Sequence, residues 1–438
     1  MRRGQRFMAV SVFSLAAMAC SMGTGQQESA PKYGTDIVVG LPLSLTGNLS
    51  NESAMAKQGY DLWVDWVNNQ RGGIEVAGVR HRVRLDFADD KSQPDLSGQL
   101  AEKMITEDHA QFLLGPYGAS NTAAVAAVAD RHHVPLVSAN GSARSIFSKG
   151  YRYVFGVQSP AAQNLQVVLD MAANLNPKPT TMAVLTSNDA FSLEVSQGAT
   201  DYAAMKGMQV VFNQQYPSGS TNFFSLLQQV KAKSPDIVIN SGHLLEAVAV
   251  DKAAKDLRLS PKIFVFTVGP TMPQFVQTLG KDADYVFTGS QWTAQAQYTP
   301  QYYLTETQYV AAYRKKFATK DEPNYQVADA TAAGLVLERA IERAGSLDPG
   351  RVRDALAGLD MTTFFGRVKF DSQGQNQYKP MLVEQIQAGH RQTVWPQQFA
   401  AVPAQYPTPT WAVRTGTPDP QPGAPPKLPV TGTAPRRR

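Results

Sequence analysis

The chain of 438 residues contains a single cysteine, Cys20. That excludes an internal disulfide, a Cys-rich zinc site and an iron–sulfur cluster. Charge is also scarce: 18% of residues are charged against 43% hydrophobic, so the chain can bury a sizeable core and is not intrinsically disordered over most of its length. A basic face for nucleic acid is missing. The 41 Lys and Arg against 36 Asp and Glu give +5, but Arg2, Arg3, Arg6, Arg436, Arg437 and Arg438 sit at the two ends, and without them the count is 35 against 36. The basic isoelectric point belongs to the ends of the chain. Catalytic signatures are absent as well: no GxGxxG follows the first strand, and there is no GxxxxGK[ST], GxSxG or HExxH. His132 and His133 are adjacent, point to different faces, and read as cations at a helix C-terminus. Asp89 and Asp90 can be a carboxylate pair for acid–base work or, more simply, caps for the loop into Pro94.

What is present begins with a leader. Residues 1–6 are basic, residues 7–19 (FMAVSVFSLAAMA) are apolar, and Cys20 follows at once. This is the layout of a secretory signal, and its apolar run falls short of the roughly 20 residues that span a bilayer. Ala-Met-Ala-Cys resembles a lipobox, with Cys20 as the lipidated residue; the alternative is an ordinary signal cut near Ala19 that leaves a free thiol. Residues 20–35 then read as a flexible tether. An exported, lipid-anchored protein has no dependable ATP or NADH around it, which argues against a kinase or dehydrogenase.

At roughly 100–200 residues per domain the length suggests at least two domains. From Asp36 on, apolar runs alternate with helix-period segments. Residues 36–43, 83–88, 111–114 and 134–137 read as strands, with helices over 54–69, 95–107 and 121–131 between them. The alternation restarts at Thr181, with strands over 182–186, 209–212, 237–240 and 263–267 and helices over 193–206, 223–233 and 244–256. Two such blocks predict two α/β lobes with parallel sheets and right-handed crossovers. Helices are predicted over 301–317 and 326–344, and strands over 367–371 and 382–387. Residues 400–438, dense in Pro, Thr and Gly, are predicted to be a disordered tail.

These segments carry a resemblance. Residues 36–47 (DIVVGLPLSLTG), 72–74 (GGI) with Gly78, 87–94 (FADDKSQP), 114–122 (LGPYGASNT), 134–143 (VPLVSANGSA), 189–192 (DAFS), 337–346 (LERAIERAGS) and 366–374 (GRVKFDSQG) are similar, in order over about residues 36–395, to the leucine/isoleucine/valine-type periplasmic binding proteins, the solute receptors of ABC importers. The resemblance implies two Rossmann-like lobes joined by a three-strand hinge. Residues 36–157 plus 289–360 would form lobe 1 and residues 158–288 plus 361–399 lobe 2, with a ligand trapped in the cleft.

The residues themselves point to the same cleft. Ligands of open parallel sheets bind outside the C-terminal ends of strands. There, residues 115–120 and 138–142 form small-residue turns that let backbone approach closely, the first of them leading into a helix N-terminus. Ser120 and Ser142 add hydroxyls, or are plain helix caps. Carried over residue by residue, the resemblance puts Ala119 and Ser120 on a ligand carboxylate, the Asn140 carbonyl on an ammonium and Ser142 on the amino-acid head. Phe191 becomes an aromatic wall from lobe 2, His243 takes a position often aromatic, and Tyr117 and Trp292 become further walls. Two departures stand out. Val268 occupies the place of the expected acidic partner of the ammonium. Glu52 replaces a frequent Tyr and either offers a carboxylate from the opposite lobe or faces solvent, while Glu246 is expected to face solvent.

The function implied is a non-enzymatic, cofactor-free and metal-free receptor. It would be lipid-anchored on the extracytoplasmic face and bind a branched-chain amino acid, amide or related organic acid for delivery to an ABC permease. The alternative is a periplasmic sensor of the same fold with a signalling partner.

Overall fold

The computed structural model describes residues 32–416. The leader, Cys20 and the last arginines lie outside the described residues. The chain opens with β1 (Ile37–Leu43) and α1 (Ser50–Asp65), which ends in one π-helical turn, and continues through a hairpin of β2 (Ile74–Val76) and β3 (Val79–His81). There follow β4 (Val83–Asp89), α2 (Pro94–Thr106), β5 (Phe112–Leu114), α3 (Ala119–Arg131), β6 (Leu136–Ser138), α4 (Arg144–Phe147) and β7 (Val154–Gly156). The larger strands form a five-stranded parallel sheet in the order β4-β1-β5-β6-β7.

The second block runs α5 (Gln166–Ala173), β8 (Thr181–Ser187), α6 (Ala190–Met205), β9 (Gln209–Tyr216), α7 (Phe224–Ala232), β10 (Ile237–Ser241), α8 (Leu244–Asp256), β11 (Ile263–Phe266), α9 (Pro273–Leu279) and β12 (Phe287–Ser290). Next come α10 (Glu306–Phe317), α11 (Tyr325–Ala344), α12 (Pro349–Ala357), a hairpin of β13 (Asp360–Thr363) and β14 (Gly366–Lys369), and the antiparallel pair β15 (Leu382–Gln387) and β16 (His390–Trp395). The second sheet has the order β16-β15-β12-β11-β10-β8-β9, parallel except where β15 and β16 join. Its central strands are buried along their length save for Thr181 at the start of β8, as strands covered on both faces must be. This is the two-lobed α/β fold that the alternating pattern predicts.

Helix α11 leaves the second block and returns to the first, lying along α1. The two backbones nearly touch: a Cβ on Gly59 would stand 2.1 Å from the Val327 carbonyl oxygen, and one on Gly334 would strike the Trp63 ring at 2.2 Å. Only glycine permits that approach. Between the sheets the chain crosses three times, and side-chain amides lace the crossings together. Gln291 accepts from the Ser159 amide (3.0 Å) and donates to its carbonyl (3.1 Å), and Asn376 donates to the Val157 carbonyl (2.9 Å).

Composition misjudges the start of the tail. Instead of a disordered run from residue 400, residues 401–416 lie along the second lobe and end in α13 (Trp411–Thr415). Trp411 is fully buried, its indole donating to the Leu259 carbonyl (2.9 Å), and Arg414 stacks on it at 3.7 Å while donating to the Asp284 carbonyl (3.0 Å). One large apolar anchor and one forked cation compensate the ordering of a segment whose prolines already restrict it.

Candidate functional site

The C-terminal ends of β5 and β6 face those of β8 and β10 across the gap between the lobes. Tyr117, Gly118, Asn140 and Tyr325 from one side, Phe191 and His243 from the other, and Gln158 on a crossing segment enclose a cavity of about 20 Å³. That is room for about one water, so the two sides stand closed on each other. The His243 ring lies 6.0 Å from that of Tyr117 and 6.1 Å from that of Phe191, a small aromatic cage contributed by both lobes.

His243 caps α8 at the end of β10. Its Nε2 stands 3.6 Å from Asp189, which itself caps α6 by accepting from the Ser192 amide (3.0 Å). Burial by itself pushes the imidazolium down. The Asp189 charge, helped by Glu52 and Glu246, overrides this and holds the His243 pKa at about 9. Burial likewise pushes Asp189 up, and the His243 charge brings it to about 2. Glu52, on the first turn of α1, reaches across the gap, and its Oε1 accepts from the Leu244 amide of the opposite lobe (3.0 Å). Of the two roles open to Glu52, the structure takes the one across the cleft. Burial pushes its carboxyl up, against the pull of His243.

On the α11 side lies Asp329, fully buried. Its Oδ2 accepts from the Asn140 amide (3.0 Å) and, in a short contact, from Gln158; its Oδ1 is unpartnered. Burial pushes this carboxyl well up, with the Lys379 charge and the two amide hydrogen bonds pulling the other way. Unpartnered buried polar atoms concentrate in this region: Glu52 Oε2, Asn140 Oδ1, Asp189 Oδ2, Asn240 Oδ1, His243 Nδ1, Gln326 Oε1 and Asp329 Oδ1. Buried polar atoms are ordinarily hydrogen-bonded, so such a concentration marks a place built for other partners.

Of the residues singled out in the sequence, Tyr117, Asn140, Phe191 and His243 line the cavity together. Ala119 and Ser120 begin α3 beside it. The cap position is Gly118, which has no side chain to occupy the first-turn amides. Ser142 is buried nearby, and its carbonyl accepts from Ala161 and Gln375. Trp292 is not a cleft wall: it is fully buried, donates to the Phe364 carbonyl (2.9 Å) and packs edge-on against Tyr309 and Phe364. An exposed-looking aromatic in a turn-rich stretch is core because α10 and the β13–β14 hairpin fold over it. Glu246 does not face solvent. It is buried, accepting from the His243 and Gly219 amides as part of a capping box. Val268 is core.

Asp89 and Asp90 are loop ties. Asp89 accepts from the Leu45, Thr46 and Lys91 amides, and Asp90 from Ser44, Ser97 and Asn121. Among the described residues no group of His, Cys, Asp and Glu could hold a metal ion. Sequence reasoning missed Gln158, Tyr325 and Asp329. The one signal for Asp329 was an acid within the Ala-rich first half of α11, which is buried on every side.

Comparison with known proteins agrees with the two-lobed fold. A family model described as "Periplasmic binding protein" matches residues 36–391. The Leu/Ile/Val-binding protein homolog 7 of Brucella abortus (strain 2308) is 24% identical over 404 residues, covering 89% of this chain and 97% of the relative. Homolog 8 of the same organism is 23% identical over 385 residues, covering 83% and 92%. Among solved structures, a leucine-binding protein of Thermotoga maritima superposes with a TM-score of 0.74 at 20% identity, covering 82% of this chain and 98% of that one. A solute-binding protein from R. palustris in complex with benzoate superposes with a TM-score of 0.71 at 18% identity, covering 85% and 98%.

Proposed function

The chain belongs to the periplasmic binding protein family, and from that premise we propose that it is the extracytoplasmic receptor of an ABC importer, closing two lobes over a small polar solute. The solute class is a branched-chain amino acid, an amide or a related small acid. The observation that carries this reading is the cavity between the lobes, walled by residues of both and surrounded by buried polar atoms with no partner among the described residues. A ligand bound there supplies what those atoms lack, and closure excludes water from the exchange. The uncapped start of α3, with Gly118 on the cavity wall, offers amides to a ligand carboxylate. Ser142 supplies a hydroxyl close by, and Phe191 with His243 an aromatic wall. Cys20 is the point of lipid attachment, and the permease is the partner of the loaded form. The relatives are solute-binding proteins, which supports binding without turnover.

The test is a thermal-shift screen of the mature chain against amino acids, amides and organic acids. A ligand for the closed form raises the unfolding temperature in proportion to the logarithm of its concentration. If every compound leaves the transition unmoved, the reading fails.

A further inference from the structure

Four amide side chains around the gap share one orientation. Asn140, Gln158, Asn240 and Gln326 each spend the NH2 group on a protein acceptor, and no hydrogen bond reaches the oxygen. For Asn140 and Gln158, both on the cavity wall, the acceptor is the same atom, Asp329 Oδ2. An ionised carboxylate accepts only. A protonated one carries its hydrogen on the unpartnered Oδ1 and still leaves Oδ2 as acceptor. In either state the amides must turn nitrogen toward Asp329 and oxygen away from it.

Resting on the solute-receptor reading, we propose that Asp329 is a positioning residue that sets the oxygens of Asn140 and Gln158 toward the cleft. It thereby selects ligands that present an N–H group, an ammonium or primary amide, over carboxylates that have none. Nearby charge is mixed, since the His243 imidazolium on the cavity wall is paired with Asp189 and faces Glu52. Glu52 and Asp189 each have an unpartnered carboxylate oxygen, and Lys379, the cation nearest in influence to Asp329, spends its ammonium on the Gln291 carbonyl. This also answers the departure at Val268: acceptors for a ligand nitrogen come from the α11 side of the cleft and from the crossing segment.

The experiment compares wild type with Asp329→Asn by calorimetric titration with 4-methylpentanamide, 4-methylpentanoate and leucine. Wild type should prefer the amide over the isosteric carboxylate by about tenfold or more, because the carboxylate leaves the oxygens of Asn140 and Gln158 unpaired. In Asp329→Asn an amide can donate as well as accept, the two neighbours are free to turn, and the preference should fall to a few-fold. A folded variant that keeps the wild-type ratio overturns the inference, as does a wild type that binds amide and carboxylate equally. If wild type binds none of these nor any compound of the wider screen, the receptor reading is what fails. Diffraction at atomic resolution then decides the amide orientation by itself: nitrogen toward Asp329 supports the positioning role, oxygen toward it refutes it.

Discussion

Replacing His243 by phenylalanine tests the electrostatics of the cleft while keeping a ring of similar reach between Tyr117 and Phe191. The imidazolium is held from 6.5 up to about 9, a displacement that corresponds to about 3 kcal/mol of preference for the charged form in the folded state. The sign follows from the direction. A raised histidine pKa contributes stability that is complete below about pH 6.5 and is lost as pH rises through about 9, at up to ~1.4 kcal/mol per pH unit. Other groups titrate nearby in pH. Asp251 and Glu338, each raised to about 8, act in the same sense, and Lys379, lowered to about 8, in the opposite one. The quantity to measure is therefore the difference between wild type and His243→Phe in urea unfolding free energy from about pH 5.5 to 10. It should be largest at the acid end of that range, at about 3 kcal/mol, and should shrink through about pH 9. Curves for the two proteins that stay parallel across the range would refute the assignment of a charged His243 paired with Asp189.

Other substitutions probe other parts of the molecule. Glu52→Gln weakens the bond to the Leu244 amide across the gap and so the closed form, and ligand dissociation constants should rise by about tenfold, one charge-assisted hydrogen bond, as calorimetric titration measures. Trp292→Ala should cost about 3–5 kcal/mol of stability and leave ligand preference unchanged; altered preference with intact stability would return Trp292 to the cleft wall. Trp411→Ala should lower stability by about 3 kcal/mol and expose residues 401–416 to protease, which limited digestion reads directly.

The two-lobed architecture was legible because strand–helix alternation is a long-range pattern that no single residue can spoil, and it restarts visibly at Thr181. The turns after β5 and β6 were legible for a local reason: small residues cluster where backbone must face a ligand. Tyr117, Asn140, Phe191 and His243 all lie in such strand-end turns or just beyond them, and they do meet. Asp329 was not legible, since its meaning depends on α11 crossing back to lie beside residues some 170 to 190 positions earlier. Glu246 and Trp292 were misread because burial of a helix cap or a loop aromatic depends on what folds over it. The docked segment from 401 to 416 was hidden by composition, in which prolines outnumber the two residues that anchor it.

None of the five tryptophans lines the cavity between the lobes. Trp63, Trp292 and Trp411 are sealed in the interior, and Trp66 and Trp395 are half-covered elsewhere. Indole emission will therefore be deaf to the chemical character of a bound solute. Trp292, next to the Gln291 crossing, is the fluorophore best placed to register the swing of one half against the other. A change in emission during a titration of this protein therefore reads motion of the two halves and not contact with the solute.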